Sequence, residues 1–260
     1  MSDRNGRETP LLRVEHIEKY YGSRGTATKA LDGVSFSVRR GEYVSIMGAS
    51  GSGKTTLLNC ISTIDTVSAG HIRLDGRELS SVKEAELAAF RRENLGFVFQ
   101  EFNLLDTCTL EENIALPLTL EGVPPKEIAE RVRAAAKRLR LTDALDRFPW
   151  QVSGGQRQRC AFARAVICGP RLVMADEPTG SLDSHSARVL LDMMEELNRE
   201  LHATILMVTH DAFCASFAQR ILFLKDGRIF NEIRKGTRPQ EDFYQEILRV
   251  LSQMGGDLPC

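Results

Sequence analysis

Residues Gly48 to Thr55 read GASGSGKT, a spacing of glycine, lysine and threonine suited to gripping a chain of phosphates. Glycines let backbone N–H groups converge on phosphate oxygens, and a helix starting at Lys54 adds a partial positive charge at its N-terminus. Gly48, Ser50, Gly51, Ser52, Gly53, Lys54, Thr55 and the following Thr56 are the candidate phosphate-binding residues. The Lys54 ammonium can reach β and γ phosphates, and the Thr55 hydroxyl can ligate magnesium. By itself this loop says only that a nucleotide binds. A second run, "RLVMADE", ends an apolar strand in Asp176 and Glu177. Acidic strand ends are commonplace, but beside the loop this one gains meaning: Asp176 would hold the magnesium through water, and Glu177 would polarise the water that attacks the γ phosphate. A third run, "VSGGQRQR" from Val152 to Arg159, sets a serine and two glycines at a helix start, which is another anion site. Ser153 with Gln156 also completes a capping-box pattern, a role that needs no ligand.

The elements that carry these runs are legible as patterns. "LLRVEHI", "GVSFSV" and "YVSIM", within residues 11 to 47, are short apolar runs broken by glycines and charges, and they predict strands, the last leading into the glycine-rich loop. A helix is expected from Lys54 to about Ser62, then a strand "HIRLDG" ending in an Asp75-Gly76 turn. From about Val82 to Arg140 the pattern reads as helix, with Ile128, Val132, Ala135 and Leu139 on one face after Pro125. Gly169-Pro170 stops the helix that Ser153 opens. "RLVMAD" and "ATILMVTH" are buried-type strands joined by a helix from Ala187 to Leu201, a βαβ unit that implies a parallel sheet. A last strand pair turns at Asp226-Gly227. Phe243, Ile247, Val250, Leu251 and Met254 then mark one face of a C-terminal helix, expected to pack on its own domain.

With these three runs in this order, the chain resembles the ABC ATPase family across nearly its whole length. That resemblance implies an α/β fold: a P-loop NTPase core of the RecA-like type with an N-terminal antiparallel β subdomain and an inserted helical subdomain. The ATPase domain would span 11–235, with the helical insertion at about 97–168 and a C-terminal helical extension at 236–260. Ser153, Gly154, Gly155 and Gln156 match the family signature, which docks on the ATP of a second subunit. Gln100, ending "LGFVFQ", matches the glutamine that senses magnesium and the γ phosphate. Ser181, Leu182 and Asp183 match the loop that crosses the dimer interface, and His210 matches the switch histidine. Tyr21, in "KYYG", matches the aromatic that stacks on adenine, with Tyr20 as its adjacent competitor. The expected catalytic set is therefore Glu177, His210 and Lys54, with Thr55, Gln100 and Asp176 serving the metal. ATP and Mg2+ are the implied cofactors. Val152 stands where the family most often has leucine, an exchange that leaves the phosphate-facing residues intact.

The whole chain narrows the partners. It has 260 residues, 42% of them hydrophobic, enough for a large core, and 34 basic against 35 acidic residues leave a net charge of -1 with no footprint for a polyanion. Nucleic acid is therefore not an expected partner. No apolar run approaches the roughly 18 to 20 residues of a membrane span, and the first residues lack the apolar stretch of a signal peptide. The chain is expected in the cytoplasm, held to the inner face of the cell membrane by a permease subunit and pairing with a second copy when ATP is bound. Cys60, Cys108, Cys160, Cys168, Cys214 and Cys260 form no CxxC pair and read as incidental thiols. Within the family, the segment from Tyr20 through the phosphate loop resembles the branch serving lipoprotein release, macrolide export and peptide-antibiotic resistance. "FVFQEFNLLDTCTLEENIALPLTLEG" and the tail "FYQEILRVLSQMGGD" look most like the peptide-antibiotic, bacitracin-type group. Phe102, Asn103, Leu104 and Leu105 are candidates for a groove that takes a permease helix, or else ordinary packing of the helical arm. Two rivals remain: a non-transport ABC ATPase acting on nucleic acid or ribosomes, whose relatives usually carry two cassettes, and a small-molecule kinase, which would leave the signature unexplained.

Overall fold

The computed structural model describes residues 9–22 and 27–255. In chain order, β1 (Leu12–Tyr21) and β2 (Thr28–Val38) precede β3 (Tyr43–Met47), whose end runs through the glycine-rich loop into α1 (Lys54–Ile61). β4 (Ala69–Leu74) and β5 (Arg77–Glu78) follow, then α2 (Glu84–Asn94) and β6 (Leu95–Val98). Three helices come next, α3 (Leu110–Leu120), α4 (Pro125–Arg138) and α5 (Gly154–Val166). β7 (Leu172–Asp176), α6 (Ser184–Leu201), β8 (Ile205–Thr209) and the short α7 (Ala212–Ala215) lead to β9 (Arg220–Lys225), β10 (Arg228–Arg234) and α8 (Gln240–Met254).

Two sheets result. A four-stranded antiparallel sheet has the order β2-β1-β4-β5, and a six-stranded sheet has the order β10-β9-β3-β8-β7-β6. In the larger sheet every pair is parallel except β9 with β10. β3 and β8 are buried at every residue, as expected for strands covered on both faces. One core cluster, including Leu12, Ile17, Val34, Ile46, Leu58 and Val208, joins the antiparallel sheet to one face of the parallel sheet. A second, including Ile114, Val132, Phe162, Leu190 and Met207, joins the other face to the helices.

The pattern of Val82 to Arg140 is not helix throughout. Leu95–Val98 forms β6, which pairs with β7 from Leu95 opposite Leu172 to Val98 opposite Ala175. A short apolar run between helical stretches has no period of its own, so the partner strand decides its conformation. α6 starts three residues before the expected Ala187, because the Asp183 carboxylate caps it at Ser184. α8 packs on its own domain: Phe243, Ile247 and Val250 are buried with Met47, Ile221 and Phe223. Each such side chain contributes about 1.5 to 3 kcal/mol of burial. The end of the expected C-terminal extension, with Cys260, lies outside the described residues. The other cysteines are free thiols.

Candidate functional site

The C-terminal ends of parallel strands open on one edge of a sheet, where α/β folds bind ligands. Here β3 delivers the loop from Gly48, β6 delivers Gln100, β7 delivers Asp176 and Glu177, and β8 delivers His210. These segments enclose a cleft of about 590 Å3, within the range of small-molecule sites. Its walls include Ser50, Gly51, Gly53, Lys54, Thr55, Thr56, Gln100, Asp176, Glu177 and His210, joined by Ala30 and Ala49. Gly48 and Ser52 face the other side of the loop, toward Leu224, Leu251 and Met254.

The loop holds its own lysine ready. Lys54 is buried, and its Nζ donates to the carbonyls of Gly48 at 2.8 Å and Ala49 at 3.0 Å. Burial pulls its pKa down, against the carboxylates of Glu177 and Asp176. Gly53 caps α1 with φ of 101°, and a Cβ there would stand 2.6 Å from the Ala30 carbonyl, so only glycine fits. Thr55 Oγ1 lies 3.5 Å from Asp176 Oδ1. Burial and then the Glu177 carboxylate push the pKa of Asp176 up, only partly offset by Thr55 and Lys54. A partly buried carboxylate beside a second one is a place where positive charge is missing.

Glu177 Oε1 sits 4.0 Å from Lys54 Nζ, and Glu177 Oε2 sits 2.5 Å from His210 Nδ1. The Glu177 backbone is left-handed, with φ of 46°, held by its amide donating to the Val208 carbonyl and its own carbonyl accepting from Gly180 N–H. Strain of that kind concentrates at working sites. Gln100 is tied to the same loop, since Ser181 Oγ donates to its carbonyl at 2.9 Å.

The signature residues do not line this cleft. Ser153 caps α5: its Oγ accepts from Gln156 N–H, and Gln156 Oε1 accepts from Ser153 N–H. Gly155 packs so closely on α6 that a Cβ would meet Ser186 Oγ at 2.7 Å. Asp183 accepts from the Ser186 amide and hydroxyl, which hold its carboxyl below the usual range.

The two tyrosines separate. The Tyr21 hydroxyl donates to Asp65 Oδ2 at 2.7 Å and also meets the Thr56 side chain beside the cleft. Tyr20 turns to Glu18 and Lys29. Phe102 and Asn103 are both left-handed, and Arg164 donates to both of their carbonyls. Leu104 packs against the helical core, which leaves Leu105 exposed.

Sequence reasoning missed Gln158. It is fully buried on α5, and its Nε2 donates to the carbonyls of Phe99 at 3.0 Å and Pro178 at 2.7 Å. One side chain thus joins the residue before Gln100 to the residue after Glu177. Its only signal in the sequence is a polar residue on the buried face of an amphipathic helix.

A phosphate-gripping loop, an Asp-Glu strand end and a histidine on adjacent parallel strands define a P-loop ATPase cassette. Residues 31–180 match the family model described as ABC transporter, and the chain belongs to that family as an ATP-binding subunit and ATPase. It is 47% identical over 246 residues to the bacitracin export ATP-binding protein BceA of Halalkalibacterium halodurans, covering 95% of this chain and 97% of that one. It is 51% identical to the uncharacterized ABC transporter ATP-binding protein YvcR of Bacillus subtilis, over 95% of this chain and 96% of that one. A solved dimer of the ATP-binding cassette MJ0796, in a post-hydrolysis state with ADP and Pi, superposes with a TM-score of 0.79 at 36% identity, covering 86% of this chain and 98% of that one.

Proposed function

We propose that this chain powers a membrane permease that exports, or protects the cell against, peptide antibiotics of the bacitracin kind. The observation that carries this reading is its identity to a protein named for bacitracin export over nearly the full length of both chains. No helix among the described residues is long and apolar enough to cross a membrane, so mechanical work on one would pass through a permease subunit at its inner face. Leu105, exposed in the segment after Gln100, is the candidate contact.

In the proposed site, Lys54 and the loop amides bind the phosphates, Tyr21 stacks on adenine, Glu177 accepts a proton from the attacking water and His210 holds Glu177 in place. Thr55, Asp176 and Gln100 offer hard oxygen donors, and the charge deficit at Asp176 fits Mg2+. Bound there, the ion would neutralise charge developing on the phosphates. Ser153, Gly154, Gly155 and Gln156 lie outside their own chain's cleft, which suits them to a second copy's ATP. The dimeric MJ0796 cassette supports a pairing of two copies.

Deleting the gene and measuring sensitivity to a panel of envelope-active peptides tests the substrate class. Heightened sensitivity is expected. Unchanged sensitivity, with a defect in lipoprotein release or macrolide export instead, would move the chain to a sister group.

A further inference from the structure

Tyr21 ends its strand with 42% of its surface exposed, too much for packing alone to fix the plane of its ring. The surrounding polar groups fix it instead. Its hydroxyl donates to Asp65 Oδ2 at 2.7 Å. The other oxygen of Asp65 is anchored twice, accepting from Lys19 Nζ at 2.5 Å and from Thr66 N–H at 2.7 Å. Lys19 is buried, donates again to the Thr66 carbonyl at 2.7 Å, and places its ammonium 4.9 Å from the centroid of the Tyr21 ring. Burial pushes the Asp65 carboxyl up, but Lys19, Tyr21 and Thr66 together hold it below the usual range, so it is ionised at neutral pH. Burial and Asp65 push the Tyr21 phenol the other way, so it stays a donor.

We propose that Asp65 and Lys19 are positioning residues for the base of the nucleotide, locking Tyr21 as a preset platform with a cation against its ring. The proposal rests on the reading that Tyr21 stacks on adenine. A ring that is free to turn loses rotamer freedom when a base lands on it, whereas a ring already held by an ionised acceptor does not. The buried ammonium occupies part of the space around the ring, so the exposed portion is what a base can reach. Asp65 is not among the residues that line the cleft, so its influence on the nucleotide would pass through Tyr21.

The experiment measures binding of ATP, ADP and inorganic tripolyphosphate to the full chain by calorimetry. Asp65→Ala and Tyr21→Phe are each expected to weaken ATP and ADP by about fivefold, the scale of losing one charge-assisted hydrogen bond. Tripolyphosphate, which has no base, should bind as before. The double variant should be no weaker than either single one, and Asp65→Asn, which keeps an acceptor, should recover part of the loss. Equal loss for tripolyphosphate, additive effects in the double variant, or unchanged ATP affinity in Tyr21→Phe would each overturn the proposal. Tyr21→Phe deletes one hydroxyl from a half-exposed side chain, so it gives a result even if Asp65→Ala fails to fold. Tyr21→Ala separates the two levels. If it weakens ATP while the other variants do not, the platform stands and the role of Asp65 falls. If it has no effect, stacking on Tyr21 falls, and this proposal with it.

Discussion

Glu177 Oε2 and His210 Nδ1 lie 2.5 Å apart, although the two residues end different strands and Glu177 must adopt a left-handed backbone to be there. The second oxygen of Glu177 faces Lys54 Nζ at 4.0 Å. The carboxylate thus lies between two nitrogens delivered by separate elements, the Lys54 ammonium and the His210 imidazole.

Removing the charge from this carboxylate should stop chemistry and spare binding. Glu177→Gln is expected to slow ATP hydrolysis by roughly 10²-fold or more while binding ATP and Mg2+ normally. The ATP-bound dimer should then accumulate, which light scattering with ATP present will show. Normal turnover in this variant would remove Glu177 from the role of base.

Asp176 gives a pH prediction. Its pKa is raised above the ordinary 3.8 in the folded chain, chiefly by burial and by Glu177. A raised folded-state pKa means that stability is fully present below the unfolded value and is lost as pH rises through the folded one. Asp176→Asn, without nucleotide or metal, should therefore melt above the parent near pH 7, with the margin closing as pH falls toward about 4. It should also lose Mg2+-dependent ATPase. Thermal melts across this range decide the matter, and a variant that melts lower at neutral pH would show the charge to be compensated within the chain.

The signature should act in trans, since Ser153 and its glycines cap α5 away from their own cleft. Mixing a Ser153→Arg chain with a Lys54→Ala chain should restore one complete site per heterodimer. ATPase activity above that of either parent is the expected result. Mixtures no more active than the parents would rule out head-to-tail pairing.

Leu104 and Leu105 should differ despite being neighbours. Leu105→Asp changes an exposed side chain and is expected to release the subunit from its permease while ATP binding survives. Leu104→Asp puts a charge in place of a half-buried side chain that packs on the helical core and should lower the thermal midpoint instead. Co-purification from membranes and melting curves, measured on both variants, separate these outcomes. Retention of Leu105→Asp on the membrane would move the contact elsewhere.

The sequence by itself determined the chemistry that local runs can carry. GASGSGKT needs only a strand before it and a helix after it, Ser153 and Gln156 form their cap within one turn, and Asp176-Glu177 needs only a strand end. The apolar face of α8 was likewise readable from its 3.6-residue period. Tertiary structure decided what depends on partners distant in the chain. Residues 95–98 are a strand because β7 pairs with them, and that pairing brings Gln100 into the cleft. Tyr21 rather than Tyr20 faces Thr56, Leu104 packs half-buried on the helical core while Leu105 is exposed, and Gln158 finds carbonyls on two separate loops. Periodicity and capping act over a few residues and are written in the order of side chains. Strand pairing and the meeting of loops at one sheet edge join positions far apart in sequence, so their geometry exists only once the sheet has closed.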